Sequence, residues 1–185
     1  MQTMVAMDVG KYSGKTLTEV ITEASINKRI EELAAKISTD YQGKTPIIIG
    51  VLNGSVFFLS DLVRKLSIPC EIDFIKVSSY YGDTKSSGTV RLIKDVSCLI
   101  NGKDIIIVED IIDSGLTAKF LKHRFEQNEP ASLEFVSLLT KPEVMSLNWS
   151  PKYVGFEMDS QFLVGYGLDI DQKLRNLPSI WALQD

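Results

Sequence analysis

The sequence predicts an α/β fold: a doubly wound parallel sheet with a small hood contributed by the two ends of the chain. β-branched runs, such as residues 47–49 and 105–108, are typical of strands buried on both faces of a parallel sheet. Segments with helical spacing of apolar residues separate these runs, which is the order of βαβ units. The 185 residues, 44% of them hydrophobic, can bury one sizeable core but are too few for two full domains. We therefore expect a single domain over residues 1–185, with a core at about 26–158 and a hood from about 1–25 and 159–185.

The first predicted elements are a helix, a strand and a second helix. Four apolar residues spaced four, three and four apart indicate the first helix: Ile26, Ile30, Leu33 and Ile37. Thr22 or Ser25 can cap its start, and Gly43 ends it. Residues 47–52 predict a buried strand, and the turn at 53–55 leads into an apolar helix that continues through Leu66.

The remaining elements continue the same alternation. Residues 71–79 predict the next strand, followed by a long polar stretch at 78–88 and the strand at 105–108. An apolar stripe then predicts the helix that follows: Leu116, Phe120, Leu121 and Phe125. Residues 133–139 and 153–156 predict two more strands, and residues 159–185 carry strand and turn signals that we assign to the hood.

Three carboxylates come directly after the strand at 105–108, namely Glu109, Asp110 and Asp113. Open α/β sheets bind ligands beyond the carboxyl ends of their strands, so these acids are expected where a ligand would lie. Adjacent carboxylates repel phosphate, whereas they accept hydrogen bonds from sugar hydroxyls or hold magnesium. The acids therefore predict a polyol or a metal-bound ligand.

The turn after these acids has the composition of a phosphate cradle. Gly115 permits a tight turn, and the helix that follows offers free amides at its N-terminus. The hydroxyls of Ser114 and Thr117 add two further donors. Together with the acids, this turn predicts a phosphorylated ribose as the ligand. The alternative is an ordinary strand–turn–helix in which Asp113 or Ser114 only caps the helix.

Residues 108–117 (Val-Glu-Asp-Ile-Ile-Asp-Ser-Gly-Leu-Thr) resemble the phosphoribosyl diphosphate (PRPP) motif of the type I phosphoribosyltransferases, in the form found in the branch that acts on hypoxanthine and guanine. The resemblance implies the fold of that family and transfer of 5-phosphoribosyl from PRPP to N9 of a 6-oxopurine, with release of diphosphate. It implies that Glu109 and Asp110 lie near the ribose hydroxyls and that the 5′-phosphate is held by Asp113, Ser114, Gly115, Leu116 and Thr117. Asp113 would also face N7 of the base as the catalytic proton acceptor. Mg²⁺ is the implied cofactor, with Glu109, Asp110 and Asp169 as its ligands.

Two further segments resemble the family's diphosphate-binding parts. Leu52, Asn53 and Gly54 resemble a short loop that often contains a cis non-proline peptide; many relatives carry Lys or Arg at the position of Asn53, so here only backbone amides remain as obvious donors. Ser79 and Tyr80 resemble the start of a mobile lid over the diphosphate, and Arg175 is implied near the same group. Without the resemblance, the first segment reads as a plain strand–helix turn and the second as a disordered hairpin tip.

The purine would be recognised by four residues. Lys141 follows the strand at 133–139, and a cationic donor near the exocyclic oxygen at C6 favours a 6-oxopurine over adenine. The resemblance places Phe162 in a stack on the base, and the backbone carbonyls of Leu163 and Asp169 as acceptors for the 2-amino group of guanine. Taken alone, Lys141 reads as a solvated lysine and Phe162 as a core residue.

Composition narrows the partners. A net charge of -4 and a pI near 5.1 argue against a nucleic-acid partner. No apolar run approaches the ~18 residues of a membrane span, so we expect a cytoplasmic protein. Cys70 and Cys98 form no metal-ligand spacing and are expected to be reduced packing residues, and His123 is expected on the surface.

The resemblance also implies a homodimer or homotetramer. Two alternatives stay open at this stage: a phosphoribosyltransferase that prefers xanthine, and a non-catalytic regulator that senses PRPP.

Overall fold

The structure is a computed structural model that describes residues 2–6, 9–80 and 89–184, with the backbone alone at residues 79, 80 and 89. In chain order these residues form strands β1 (Thr3–Val5), β2 (Thr16–Ile21), β3 (Ile47–Leu52), β4 (Glu71–Tyr80), β5 (Thr89–Lys94), β6 (Asp104–Ile112), β7 (Ser132–Thr140), β8 (Tyr153–Glu157), β9 (Leu163–Val164) and β10 (Ile180–Leu183), and helices α1 (Glu23–Asp40), α2 (Val56–Lys65) and α3 (Leu116–Glu126). A single 3₁₀ turn, Gly10–Tyr12, lies between β1 and β2.

The larger sheet has six strands in the order β5-β4-β3-β6-β7-β8 among the described residues. All neighbouring pairs are parallel except β4 and β5, which are antiparallel. The predicted doubly wound parallel sheet is therefore confirmed. The sequence reading missed β5, because this edge strand is paired on one side only and exposes residues such as Ile93, so it lacks the apolar run of a buried strand.

Successive residues of β3 show how the sheet is covered on both faces. Ile48 packs into the cluster formed with α1 and α2, whereas Ile47 and Ile49 pack into the cluster formed with α3. All three isoleucines are buried. Alternation of side chains along a strand explains why the β-branched runs carry no polar positions.

Helix α1 agrees with the predicted apolar stripe and resolves its cap. The Oγ1 atom of Thr22 accepts a hydrogen bond from the backbone N–H of Ser25 at 3.2 Å, so Thr22, of the two candidates, is the N-cap. Gly43 follows the helix with a φ of +77°, a conformation that favours glycine. Among the described residues no helix is long and apolar enough to cross a membrane.

Strand β6 is longer than the apolar run that predicted it. It stays paired with β7 as far as Ile112 and Thr140, so Glu109 and Asp110 lie within its last residues and not beyond its end. The strand continues through residues with charged side chains because the hydrogen bonds between strands are formed by backbone N–H and C=O groups.

The smaller sheet is antiparallel, with the order β1-β2-β10-β9. Its apolar cluster contains Ala6, Val9, Leu17, Val164, Ile170 and Trp181. The chain segments before β2 and after β8 thus meet in one sheet. The loop between β9 and β10 leaves this sheet and reaches the carboxyl ends of β3 and β6, as the contacts below show.

Candidate active site

Two acids at the end of β6, Glu109 and Asp110, have raised pKa values. Glu109 is 4% exposed, and its Oε1 atom has no hydrogen-bond partner among the described residues. Burial, and then the neighbouring charge of Asp110, raise the pKa of Glu109 well above its usual value. Burial likewise raises the pKa of Asp110 to about 6, although the N–H groups of Ile111 and of Asp110 itself, and the charge of Arg175, act in the opposite direction. A ligand that brings hydroxyls or a cation would satisfy both groups.

The turn after β6 encloses a small cavity of about 140 Å³. Its lining consists of Glu109, Ile111, Ile112, Asp113, Ser114, Gly115, Leu116, Thr117 and Ala118. Gly115 has a φ of +85° and is the N-cap of α3, without a side-chain cap hydrogen bond. Oγ of Ser114 accepts from the backbone N–H of Leu116 at 3.5 Å, so Ser114 contacts the first amide of the helix as the capping alternative expects, while Gly115 occupies the N-cap position itself. The first amides of a helix have no intrahelical partner, and this end of α3 borders the cavity.

Asp113 and Lys141 meet at the mouth of this cavity. The Nζ atom of Lys141 lies 3.6 Å from Oδ2 of Asp113. The backbone N–H of Lys141 donates to the carbonyl of Ile112 at 3.1 Å, which holds the end of β7 beside the end of β6. Lys141 is only 8% exposed, so the alternative of a solvated lysine is wrong. The side chain of Asp113 is 58% exposed and is open to a ligand.

The loop after β3 packs its backbone directly on the acids. The peptide between Leu52 and Asn53 is cis, as the resemblance implied for this loop. Gly54 is buried, and a Cβ atom at this position would overlap the carboxylate of Asp110. Asn53 is exposed at the tip. The loop thus needs glycine at residue 54 in order to approach Asp110.

The loop between β9 and β10 closes on the other side of Gly54. Gly167 has a φ of +101°, and a Cβ atom there would overlap the carbonyl oxygen of Gly54. Nη1 of Arg175 donates to the carbonyl oxygen of Gly167 at 2.7 Å. Nη2 of Arg175 forms an ion pair with Oδ1 of Asp169, also at 2.7 Å. Arg175 and Asp169 shift the pKa of Asp110 in opposite directions, so the charges of both reach the end of β6.

The three predicted magnesium ligands do not form a complete metal site by themselves. In the described ranges no group of three or more His, Cys, Asp or Glu side chains could hold a metal ion. Oδ1 of Asp169 is ion-paired with Arg175, and Oδ2 of Asp169 accepts from the backbone N–H of Gln172 at 2.8 Å.

Phe162 is an exposed aromatic residue and not a core residue. It is 46% exposed, so the core alternative is wrong. Its ring stacks on that of Tyr12, with centroids 5.8 Å apart and planes at 20°. Leu163, the next residue, is buried in β9. Sequence reasoning missed Tyr12, because no local pattern links the N-terminal turn to a residue so far along the chain.

A second missed contact ties the same loop to α2. The hydroxyl of Tyr166 donates to Oδ2 of Asp61 at 2.6 Å. Burial, and then this hydrogen bond, raise the pKa of Tyr166. Tyr166 and Gly167 therefore hold the loop against the middle of α2 and against the turn before that helix.

Other predicted residues are accounted for as follows. Ser79 and Tyr80 end β4, and residues 81–88 of the predicted lid lie outside the described residues. His123 is exposed, as predicted, with Nε2 3.1 Å from Nε2 of Gln127. Cys70 and Cys98 are free and half-buried, and burial raises the pKa of both thiols.

Comparison with known proteins gives one consistent family. The model of the phosphoribosyl transferase domain matches residues 16–171. The chain is 44% identical over 165 residues to a hypoxanthine-guanine phosphoribosyltransferase of Lactococcus lactis subsp. lactis (strain IL1403), covering 89% of this chain and 90% of that protein. A protein of the same description from Bacillus subtilis (strain 168) is 43% identical over 165 residues, covering 89% and 92%. The crystal structure of a hypoxanthine-guanine phosphoribosyltransferase from Bacillus anthracis superposes with a TM-score of 0.86 at 43% identity, covering 90% of this chain and 98% of that one.

Proposed function

The chain belongs to the phosphoribosyl transferase family, and on that premise we propose that it transfers 5-phosphoribosyl from PRPP to N9 of hypoxanthine or guanine, yielding IMP or GMP and diphosphate in purine salvage. The observation that carries this proposal is the approach of Lys141 to Asp113, 3.6 Å apart, beside the cavity at the start of α3. A phosphate cavity alone would suit any phosphorylated ligand. A buried cation and a carboxylate at its mouth provide a donor and an acceptor for one heterocycle.

We assign the sugar and its 5′-phosphate to the end of β6 and the turn that follows. The ribose hydroxyls would donate to Glu109 and Asp110, and one of them would supply the partner that Oε1 of the buried Glu109 lacks among the described residues. The 5′-phosphate would occupy the cavity lined by Asp113, Ser114, Gly115, Leu116 and Thr117. The acids of β6 accept hydrogen bonds from hydroxyls, and the start of α3 suits an anion, and this difference supports the orientation.

We assign the diphosphate to the junction of three segments: the loop of Leu52, Asn53 and Gly54, the residues Ser79 and Tyr80 at the end of β4, and Arg175. Because Asn53 carries no charge, Arg175 would supply the cationic side chain at this junction. A lid formed by the segment after Tyr80 would exclude water from the reacting sugar.

Mg²⁺ fits this arrangement as a shared ligand of chain and substrate. Magnesium in phosphate-handling sites is held by one or two carboxylates together with substrate oxygens. Glu109, Asp110 and Asp169 are the residues that would hold it, and the unpartnered Oε1 of Glu109 is a donor atom suited to a cation. When bound, magnesium neutralises charge on the leaving diphosphate.

We propose that Lys141, Phe162, Leu163 and Asp169 bind the base. Lys141 would donate to the oxygen at C6, and Phe162 would stack on the ring. The carbonyl groups of Leu163 and Asp169 would accept from the 2-amino group of guanine. The four-stranded sheet that carries Phe162 and Leu163 would act as the hood over the purine.

In the reaction the bond between C1 and the diphosphate oxygen breaks, the bond from C1 to N9 forms, and the base loses one proton. Asp113 would accept that proton at N7. The positive charge that develops on the ribose ring lies near the carboxylates of β6, which stabilise it. Lys141, by pairing with Asp113, keeps the carboxylate oriented until the base arrives.

The decisive assay mixes the protein with PRPP and magnesium and follows nucleotide formation by absorbance with hypoxanthine, guanine, xanthine and adenine in turn. We expect turnover with hypoxanthine, guanine or both, and none with adenine. Turnover with xanthine above both would favour the xanthine-preferring alternative. No turnover with any base, together with binding of PRPP, would favour the regulator.

We also propose a homodimer or homotetramer. Val56 and Phe57, at the start of α2, are 37% and 40% exposed and border a groove of about 630 Å³ next to Leu174. Adjacent exposed apolar side chains of this size are typical of surfaces that associate. Light scattering after size exclusion measures the mass directly, and a monomer at assay concentration would contradict this assignment.

A cytoplasmic location is proposed as well. Both cysteines are free in the structure, as expected of a reducing compartment. Fractionation of expressing cells, with recovery in the cytosolic fraction, tests it.

A further inference from the structure

The N-terminal turn places a second aromatic ring against Phe162. Tyr12 ends the 3₁₀ turn Gly10–Tyr12, and its ring lies nearly parallel to that of Phe162. The centroid separation of 5.8 Å and the angle of 20° describe an offset stack. Nζ of Lys11 lies 4.9 Å from the centroid of the Tyr12 ring, a cation–π contact that further fixes this ring.

The turn that carries Tyr12 is held by its own hydrogen bonds. The backbone N–H of Val9 donates to Oγ of Ser13 at 2.9 Å, and that of Ser13 donates to the carbonyl of Gly10 at 3.0 Å. Val9 is buried in the apolar cluster of the smaller sheet, and Tyr12 packs on the same cluster. Tyr12 thus lies between this cluster and the ring of Phe162.

The space around this stack is separate from the phosphate cavity. A cavity of about 480 Å³ is lined by Val9, Gly10, Lys11, Tyr12, Phe162, Asp169, Ile170 and Asp171. Neither Asp113 nor Lys141 is among these residues, so Tyr12 does not border the catalytic pair. Phe162 and Asp169, by contrast, are the two residues of this lining to which the base has been assigned.

From this geometry we propose that Tyr12 is a positioning residue for the purine: it supports one face of Phe162 so that the other face is held ready to stack on the base. The proposal rests on the proposed function, since it requires the base to bind at Phe162. Phe162 is 46% exposed at the edge of a two-residue strand, so without Tyr12 its side chain would be free to adopt other rotamers. Fixing the ring in advance removes an ordering cost from base binding.

The magnitude follows from the stack itself. An offset aromatic pair contributes about 0.5–1.5 kcal/mol beyond its buried area, which converts to a change of roughly 2- to 12-fold in affinity. Stacking does not distinguish one base from another. Loss of Tyr12 should therefore raise the KM for hypoxanthine and for guanine by the same factor. The KM for PRPP and kcat should change much less.

The experiment compares four variants with the wild-type protein at saturating PRPP. Tyr12→Ala removes the ring, and Tyr12→Phe keeps it. Tyr12→Leu keeps apolar contact with the cluster and serves if the alanine variant folds poorly. Met4→Ala is the matched control, because Met4 packs on the same cluster and is absent from the lining around Phe162.

We expect Tyr12→Ala and Tyr12→Leu to raise the KM for both bases and Tyr12→Phe and Met4→Ala to leave it near the wild-type value. An unchanged KM in both ring-less variants would overturn the proposal, as would an equal rise in Met4→Ala or a rise for one base only. Failure of Tyr12→Phe to restore the KM would also overturn it, because the hydroxyl would then be the acting group. Wild-type protein that turns over neither base would refute the proposed function itself, and this inference with it.

Discussion

Replacement of Gly167 by alanine tests the close contact between two backbone segments of the site. Gly167 has a φ of +101°, and its Cβ would overlap the carbonyl oxygen of Gly54. A left-handed conformation costs a residue with a Cβ about 1–2 kcal/mol. Forcing an extra methyl into a packed contact costs typically 1–3 kcal/mol more, and here the obstacle is backbone, which cannot turn away as a side chain can. We therefore expect Gly167→Ala to lower the free energy of unfolding by about 2–5 kcal/mol.

Gly43→Ala is the matched control for this experiment. Gly43 also has a positive φ, +77°, but nothing lies within 4 Å of its Cβ position. It should show the conformational cost alone, about 1–2 kcal/mol. Urea unfolding followed by tryptophan fluorescence gives both values, and the KM for PRPP should rise in Gly167→Ala only. If the two variants lose equal stability, the packing of Gly167 on Gly54 is looser than the structure indicates and the reasoning is refuted.

Three further predictions concern single side chains. Asp113→Asn should lower kcat by about 10²- to 10⁴-fold. The affinity for PRPP, measured by calorimetry, should change little because the amides of the cavity remain. Equal losses in kcat and in PRPP affinity would show that Asp113 has only a structural role. Tyr166→Phe should lower the free energy of unfolding by about 1.5–3 kcal/mol, because a hydrogen bond to the Asp61 carboxylate is lost. Asp61→Asn tests whether the charge of the acceptor contributes. No loss of stability in either variant would contradict the role of this hydrogen bond. The hydroxyl of Ser132, and then Lys44, lower the pKa of Asp104, so its contribution to stability is present above the unfolded value of about 3.9 and is lost as pH falls through the lower folded value. The denaturation midpoint is measured from about pH 5 down to about pH 2, a range that spans the unfolded pKa of about 3.9. As the pH is lowered, the midpoint should fall less steeply in Asp104→Asn than in the wild type. Identical slopes would contradict this assignment.

The fold was predictable where burial is two-sided and the pattern is local. Residues 47–49 and 105–108 are β-branched because both faces of the central strands are covered, and the turn at Gly115 is visible because one residue type fits it. Strand β5 was missed because an edge strand has no such constraint. The extension of β6 as far as Ile112 was missed because pairing with β7 sets the length of the strand, and the strand's own sequence does not encode that pairing.

The candidate site divides in the same way. Asp113 stands in a motif that can be read locally, whereas Lys141 and Phe162 were identified only through the family resemblance; the structure brings Asp113 and Lys141 together. The contacts of Tyr12 with Phe162 and of Tyr166 with Asp61 join segments far apart in the chain. Neither tyrosine carries a local signal, because the position of Tyr12 depends on packing within the smaller sheet and that of Tyr166 on its contact with α2.

Gly54 and its neighbour Asn53 differ in the side chains that the site can accept. A Cβ atom at residue 54 would overlap the Asp110 carboxylate, and one at residue 167 would overlap the carbonyl oxygen of Gly54, so neither position takes a side chain unless its neighbour shifts. Asn53, one residue earlier, is exposed and free to vary. Side-chain variation in this loop is therefore open at residue 53 and restricted at residue 54. A saturation library across residues 52–55 should recover many amino acids at residue 53 and glycine alone at residue 54.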